Sequence, residues 1–225
     1  LVQYAVIVDE SQPFGLYSAM SFTAIILAAG KGTRMNSALP KPLHRVGGHA
    51  MLAWCMDAAH LAGAERIVTV LAPGSEVIQD WLDGAPFAIQ EHQLGTGNAL
   101  ASAREAVGNE DGVAIVMFAD TPLVSAASLK QLADGVKAGA GIVIAGFRPD
   151  DPSGYGRLVE DADGTISRIV EDRECSPAEH AIGLCNGGIM AVSRASLFTW
   201  LDRVRNDNTK GEYYLTDIVA IAHTD

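Results

Sequence analysis

Short runs of apolar, β-branched residues alternate with stretches of helical period along most of this chain. The runs fall at 24–27, 66–71, 87–90, 113–118 and 142–145, and the helical-period stretches at 51–62, 75–82, 96–107 and 126–137. Strand, helix, strand at this spacing predicts right-handed βαβ units on a parallel sheet. Gly139 and Gly141 stand where the helix before Ala138 should stop. Beyond Phe147 the rhythm changes. Runs at 156–160 and 165–170 flank Asp163-Gly164, a hairpin signal, and an apolar run at 188–192 precedes helical stretches at 194–204 and 215–223. The expected fold is α/β: a Rossmann-like, doubly wound, mostly parallel sheet followed by a small α+β portion. No internal repeat or low-complexity segment interrupts it.

The first twenty residues read differently. They carry Asp9 and Glu10 inside an apolar stretch and no basic leading region, so they lack the order of a secretory signal. Met20-Ser21 directly precedes the first strong strand, so 1–20 are expected to be an accessory leader or peripheral strand, and 21–225 the principal domain. No apolar run reaches the roughly 18 residues of a membrane helix, because Lys31 and Arg34 close one candidate and Asp120 another. The expectation is a soluble protein with no membrane partner. Among 225 residues, 16 basic against 27 acidic side chains leave a net charge of −11, which repels a nucleic-acid backbone. Cys55, Cys175 and Cys185 show neither a disulfide framework nor zinc spacing, which fits a cytoplasmic location.

Ligands of an open parallel sheet bind outside the carboxyl ends of its strands, so the loops there carry the chemistry. The first such loop contains Gly30-Lys31-Gly32-Thr33-Arg34-Met35. From Lys31 to Arg45 stand Lys31, Arg34, Lys41 and Arg45 with no carboxylate, a quarter of the 16 basic residues of an acidic chain. Glycines that admit an anion to the backbone, and clustered cations beside them, are what a polyphosphate requires. A dinucleotide fingerprint fails at Met35, and no Walker loop occurs. The second loop, Gln90-Glu91-His92-Gln93-Leu94-Gly95-Thr96-Gly97, offers two side-chain amides suited to a base edge. His92, alone, reads as a surface residue. In the third, Asp120 ends a buried run. It either caps the following loop or holds a cation over the phosphates, and with one carboxylate that ion would be Mg²⁺.

Several strings resemble the sugar-nucleotidyltransferase family. They are Leu27-Ala28-Ala29-Gly30-Lys31-Gly32-Thr33-Arg34-Met35, Leu39-Pro40-Lys41, Gln93-Leu94-Gly95-Thr96, Gly154-Tyr155-Gly156-Arg157 and Gly211-Glu212-Tyr213-Tyr214-Leu215-Thr216-Asp217. Within that family they look like the N-acetylglucosamine-1-phosphate uridylyltransferase domain that forms the N-terminal half of a bifunctional bacterial enzyme. The Gly-rich loop and Lys41 mark only the superfamily, whereas the Gln-Leu-Gly-Thr and Gly-Glu-Tyr-Tyr-Leu-Thr-Asp strings are more specific. The resemblance implies a Mg²⁺-dependent reaction. UTP and N-acetylglucosamine 1-phosphate give UDP-N-acetylglucosamine and pyrophosphate by in-line attack on the α-phosphorus, in cell-wall precursor synthesis.

By the same resemblance Arg34 and Lys41 are catalytic. Leu27, Ala28, Ala29, Gly30, Lys31, Gly32, Gln90, Gln93, Gly95 and Thr96 bind the nucleotide. Gly156, Glu171, Asn186 and Thr216 line the sugar pocket, and Asp120 binds the metal. The chain departs from the family in four places. Phe118-Ala119 stands where Tyr-Gly is common, so one hydroxyl near the N-acetyl pocket is lost. Glu171-Asp172-Arg173 replaces Glu-x-Lys, and Asn98 replaces a common His. The family takes its second metal ligand from an Asn at the C-terminal end of the domain, and that Asn and the family's acetyltransferase β-helix have no counterpart in residues 1–225. A homotrimer is implied for a form carrying that β-helix. Two other classes stay open: a related enzyme for a different nucleotide or sugar phosphate, and a non-catalytic sugar-nucleotide-binding paralogue. Retention of Arg34, Lys41 and Asp120 argues against the second.

Overall fold

The computed structural model describes residues 4–7, 21–30, 32, 35–108 and 111–225. In chain order the strands are β1 (Tyr4–Ile7), β2 (Phe22–Leu27), β3 (Arg45–Val46), β4 (His49–Ala50), β5 (Ala64–Leu71), β6 (Phe87–Ile89), β7 (Val113–Phe118), β8 (Ile142–Phe147), β9 (Arg157–Glu160), β10 (Ile166–Val170) and β11 (Cys185–Ser193). The helices are α1 (Met51–Ala62), α2 (Glu76–Leu82), α3 (Thr96–Ser102), α4 (Arg104–Val107), α5 (Ala126–Lys137), α6 (Pro177–His180), α7 (Arg194–Leu201) and α8 (Asp217–Thr224). A main sheet runs β1-β8-β11-β7-β2-β5-β6, with the β9–β10 hairpin attached through β11, and β3 and β4 form a separate ribbon.

Alternation along the buried strands makes two hydrophobic faces. Ile25, Leu27, Val116 and Ile144 pack on one side with Leu100, Phe198, Trp200 and Ile218 from α3, α7 and α8. Phe22, Ile26, Ile115 and Val143 pack on the other with Leu52, Ile78 and Leu129 from α1, α2 and α5. Both faces of the sheet are therefore covered, which is why its central strands read as continuous apolar runs. α1 ends at Gly63 in a left-handed conformation, and the Ser125 hydroxyl caps α5 by accepting from the Ser128 N–H at 3.1 Å.

Three differences from the expected elements matter. The stretch 96–107 is two helices, because the chain turns at Ala103. The run at 188–192 is part of a longer strand, β11. That strand enters the middle of the main sheet, antiparallel to both β7 and β8, rather than belonging to a separate α+β portion. The α+β part that remains is the β9–β10 hairpin, α6 and α8, packed beside the sheet. Tyr4–Ile7 adds a parallel edge strand next to β8; the rest of the 1–20 segment lies outside the described residues. Among the described residues no helix is long and apolar enough to cross a membrane.

Candidate functional site

The parallel strands β2, β5, β6 and β7 end together. Leu27 pairs with Val70 and Phe118, and Leu71 with Ile89. Backbone bonds carry this ladder past the strand ends: the Ala28 N–H donates to the Val70 carbonyl at 2.8 Å, Gln90 to Leu71 at 2.8 Å and Ala119 to Leu27 at 3.0 Å. The three loops singled out in the sequence thus leave the sheet side by side, around a cavity of about 420 Å³. Leu27, Ala28, Ala29, Gly30, Lys41, Gln90, Gln93, Gly95, Thr96 and Asp120 all line it. Lys31 and Arg34 lie outside the described residues.

At one wall the Lys41 ammonium pairs with the Asp120 carboxylate. Lys41 begins a single 3₁₀ turn held by buried Pro42 and Leu43, and by the His44 N–H, which donates to the Lys41 carbonyl at 3.2 Å. Gly32 lies against the same side chain. Its φ is +57°, and a Cβ there would sit 2.8 Å from Lys41 Cβ, so only glycine fits against the lysine at this position. Asp120 follows β7 in a turn closed by the Thr121 hydroxyl, which donates to the Phe118 carbonyl at 2.7 Å. Cys55 backs this turn, with its thiol 3.6 Å from the Phe118 and Thr121 carbonyls. Burial pushes that thiol up to about 11, so it packs rather than reacts.

The opposite wall is polar and tightly tied. Gln90 Nε2 donates to the Gly95 carbonyl at 3.0 Å and to Asn98 Oδ1 at 2.9 Å. Gln93 Nε2 donates to the Ala29 carbonyl at 2.6 Å, joining this loop to the Gly-rich one. Residues 212–215 zip onto the loop from a distant part of the chain. Tyr213 N–H donates to Leu94 and Gly97 N–H to Tyr213, both at 2.8 Å, and Leu215 N–H donates to Thr96 Oγ1 at 2.9 Å. The Thr96 hydroxyl therefore also has a structural task. Asn98 and Glu212, which also lines the cavity, were not among the expected site residues. In the sequence Asn98 stands out only as a departure from the family, and Glu212 only as part of the run from Gly211 to Asp217.

A second cavity of about 420 Å³, mostly apolar, lies between the loop at 120–125, α5 and the ends of β8 and β11. It shares Asp120 with the first and includes Asn186. The other expected sugar residues line neither cavity but are linked to this region. Asn186 N–H donates to the Gly156 carbonyl at 2.8 Å, and the Thr216 hydroxyl bonds Glu171 Oε1 at 3.3 Å. Buried Arg157 pairs with Asp172 at 3.2 Å, locking the neighbours of Gly156 and Glu171 together. Burial raises the Glu171 carboxyl above its usual range, against the lowering effect of the Thr216 hydroxyl. Burial first, then Glu174, Glu171 and Asp207, pushes Asp217 up to about 6.

Residues 24–213 match the MobA-like NTP transferase domain. This chain belongs to that family. Membership places it among nucleotidyltransferase domains, and the expected fold class holds. The bifunctional protein GlmU of Maricaulis maris (strain MCS10) is 46% identical over 204 residues, which is 90% of this chain and 45% of that protein. The bifunctional protein GlmU of Rhodospirillum rubrum is 45% identical over 201 residues, 88% of this chain and 45% of the relative. The chain thus spans a little under half the length of these curated relatives. Among solved structures, UDP-glucose pyrophosphorylase complexed with UDP-glucose superposes with a TM-score of 0.74 at 19% identity, covering 91% of this chain and 88% of that one. Its apo form superposes with a TM-score of 0.73 at 18% identity, covering 92% and 88%. At such identity the likeness is one of fold, and the MobA-like NTP transferase domain shares it.

Proposed function

We propose that the chain is a uridylyltransferase forming UDP-N-acetylglucosamine and pyrophosphate from UTP and N-acetylglucosamine 1-phosphate, in the cytoplasm, with Mg²⁺ as its divalent ion. The observation that carries this reading is the position of Asp120, shared by a cavity walled with amides and glycines and a second one holding Asn186. A nucleotide in the first and a sugar phosphate in the second would meet at that carboxylate. Relatives at 45–46% identity over most of the chain support the choice.

In this reading a phosphate oxygen of the sugar phosphate forms a bond to the α-phosphorus of UTP. The bond from that phosphorus to the bridging oxygen breaks, and pyrophosphate leaves with the electron pair. No side chain becomes covalently attached, so the protein acts by positioning and charge. Gln90, Gln93, Gly95 and Thr96 hold the uridine. Gly30, Lys31, Gly32 and Arg34 face the phosphates, and Arg34 meets the charge that develops on the leaving group. Lys41 exchanges its partner Asp120 for a phosphate oxygen. Asp120 would then be the residue to hold a divalent ion, whose chemistry there would be to neutralise phosphate charge. The chemistry of the wall fits such an ion: Asp120 would supply one carboxylate oxygen, and phosphate oxygens and water would supply the other oxygen ligands that Mg²⁺ prefers. Gly156, Glu171, Asn186 and Thr216 set the acceptor side.

The test is pyrophosphate release from UTP with N-acetylglucosamine 1-phosphate, run beside glucose 1-phosphate and over a Mg²⁺ titration. Release that depends on the acetylated sugar supports the reading. Turnover with glucose 1-phosphate alone, or none with either, refutes it.

A further inference from the structure

We infer that Asn98 is a positioning residue that selects the base, because together with the Gly95 carbonyl it holds the Gln90 amide with its oxygen toward the nucleotide cavity. The inference rests on the uridylyltransferase reading and deepens it. Gln90 is 4% exposed, so its amide must find partners in the protein or the ligand. Its Nε2 lies 3.0 Å from the Gly95 carbonyl oxygen and 2.9 Å from Asn98 Oδ1. A backbone carbonyl can only accept, so the Gln90 atom facing Gly95 must be the nitrogen. The flipped amide would set oxygen against oxygen at two places. Asn98 is oriented in turn, since its Oδ1 also faces the Leu94 N–H at 3.5 Å and two donors converge on one acceptor.

Both hydrogens of the Gln90 amide are thus spent within the loop. Its Oε1 has no protein donor among the described residues, and Gln90 forms part of the cavity wall. What this wall offers a base is an acceptor held in one direction. Uracil has a single ring donor at its pairing edge, N3–H, between two carbonyls. Cytosine in the same register brings an unprotonated N3, lone pair against lone pair. It could use its amino group only by sliding along its edge, which would draw the ribose and phosphates away from Lys41. Discrimination of this kind, where a buried group is left unpaired by the wrong substrate, is stronger than an apolar pocket can supply.

The experiment measures kcat and KM for UTP and for CTP in the unmutated protein, Asn98→Ala and Asn98→Asp. Losing one hydrogen bond of this strength should raise KM for UTP and narrow the UTP-over-CTP preference in kcat/KM by about tenfold in Asn98→Ala. Turnover at saturating UTP should stay within about twofold, because the loss is one of orientation at the base. Asn98→Asp, whose carboxylate accepts from the same two donors, should keep the full preference. Asn98→Ser, too short to reach Gln90, carries the expectation of Asn98→Ala should the alanine variant fail to fold. Unaltered preference in Asn98→Ala or Asn98→Ser overturns the inference while leaving the uridylyltransferase reading intact, as does equal loss in Asn98→Asp. Equal use of UTP and CTP by the unmutated protein overturns both.

Discussion

Lys41 and Asp120 stand 79 residues apart in sequence and neutralise each other at the cavity wall, where both remain partly exposed. A pair so accessible to water contributes little to stability, so its worth lies in what each charge does once substrate separates them. Lys41→Ala should lower kcat by roughly 10²-fold, the scale of removing one preorganised electrostatic group. Pyrophosphate release and a thermal melt on one preparation check this; a lowered midpoint with normal turnover would assign Lys41 to the fold instead. Gly95 presents the opposite case. At φ +113°, an added Cβ would stand 2.6 Å from the Tyr213 carbonyl oxygen and 2.8 Å from its nitrogen, both backbone atoms with nowhere to go. Gly95→Ala should therefore cost about 2 kcal/mol or more in denaturant unfolding, and should raise KM for UTP through displacement of residues 212–215. Most of the cavity lining was legible because Gly30, Gln90, Gln93, Gly95 and Asp120 sit in loops at strand ends, where local sequence marks them. The bond from Asn98 to Gln90 and the place of Glu212 were not. One depends on which way an amide faces, and the other on residues 212–215 docking against a loop over a hundred residues earlier.

Among elements, β11 shows where pattern reading stops. Its apolar residues mark a buried strand, yet nothing in Gly188–Val192 states that it runs antiparallel between β7 and β8. Insertion of a late strand into an earlier sheet is a long-range choice made by the whole core. One effect is that it carries Asn186 to the wall of the cavity that shares Asp120. α8 poses a different question. Its first residue, Asp217, suits the positive end of a helix, but burial and the carboxylates of Glu174, Glu171 and Asp207 push its pKa from 3.8 to about 6. The folded state thus binds this proton more tightly than the unfolded chain. The resulting stability is fully present below the unfolded value of 3.8 and is lost as pH rises through about 6. Asp217→Asn removes that dependence. It should raise the thermal midpoint most in mildly alkaline buffer, less between the two pKa values, and not at all below the lower one. Melts across that range decide it; an offset independent of pH would mean that Asp217 acts through packing alone.

Across the whole molecule, the doubly wound sheet gathers the ends of β2, β5, β6 and β7 around one cavity and the ends of β8 and β11 around the other. The first half of this arrangement follows from alternating strands and helices; the second depends on the antiparallel strand and was not legible. The edge strand β1 lies beside the second of these cavities. Among the described residues it pairs only with β8, Tyr4 opposite Val143 through Ile7 opposite Gly146, and Ala145 and Gly146 belong to the wall of the second cavity. The first cavity is separated from β1 by β8 and β11, and among the described residues none of its lining comes from either strand. Removing residues 1–20 would leave β8 as the new edge, with its backbone groups open to water and less firmly held. The two substrates should then respond unequally. KM for N-acetylglucosamine 1-phosphate should rise severalfold, while KM for UTP stays at the value of the full chain. Initial rates with each substrate varied at saturating concentrations of the other measure both constants. A parallel rise in both would show that β1 supports the sheet as a whole, and no change in either would show that β8 holds its place through β11 and α5 without it.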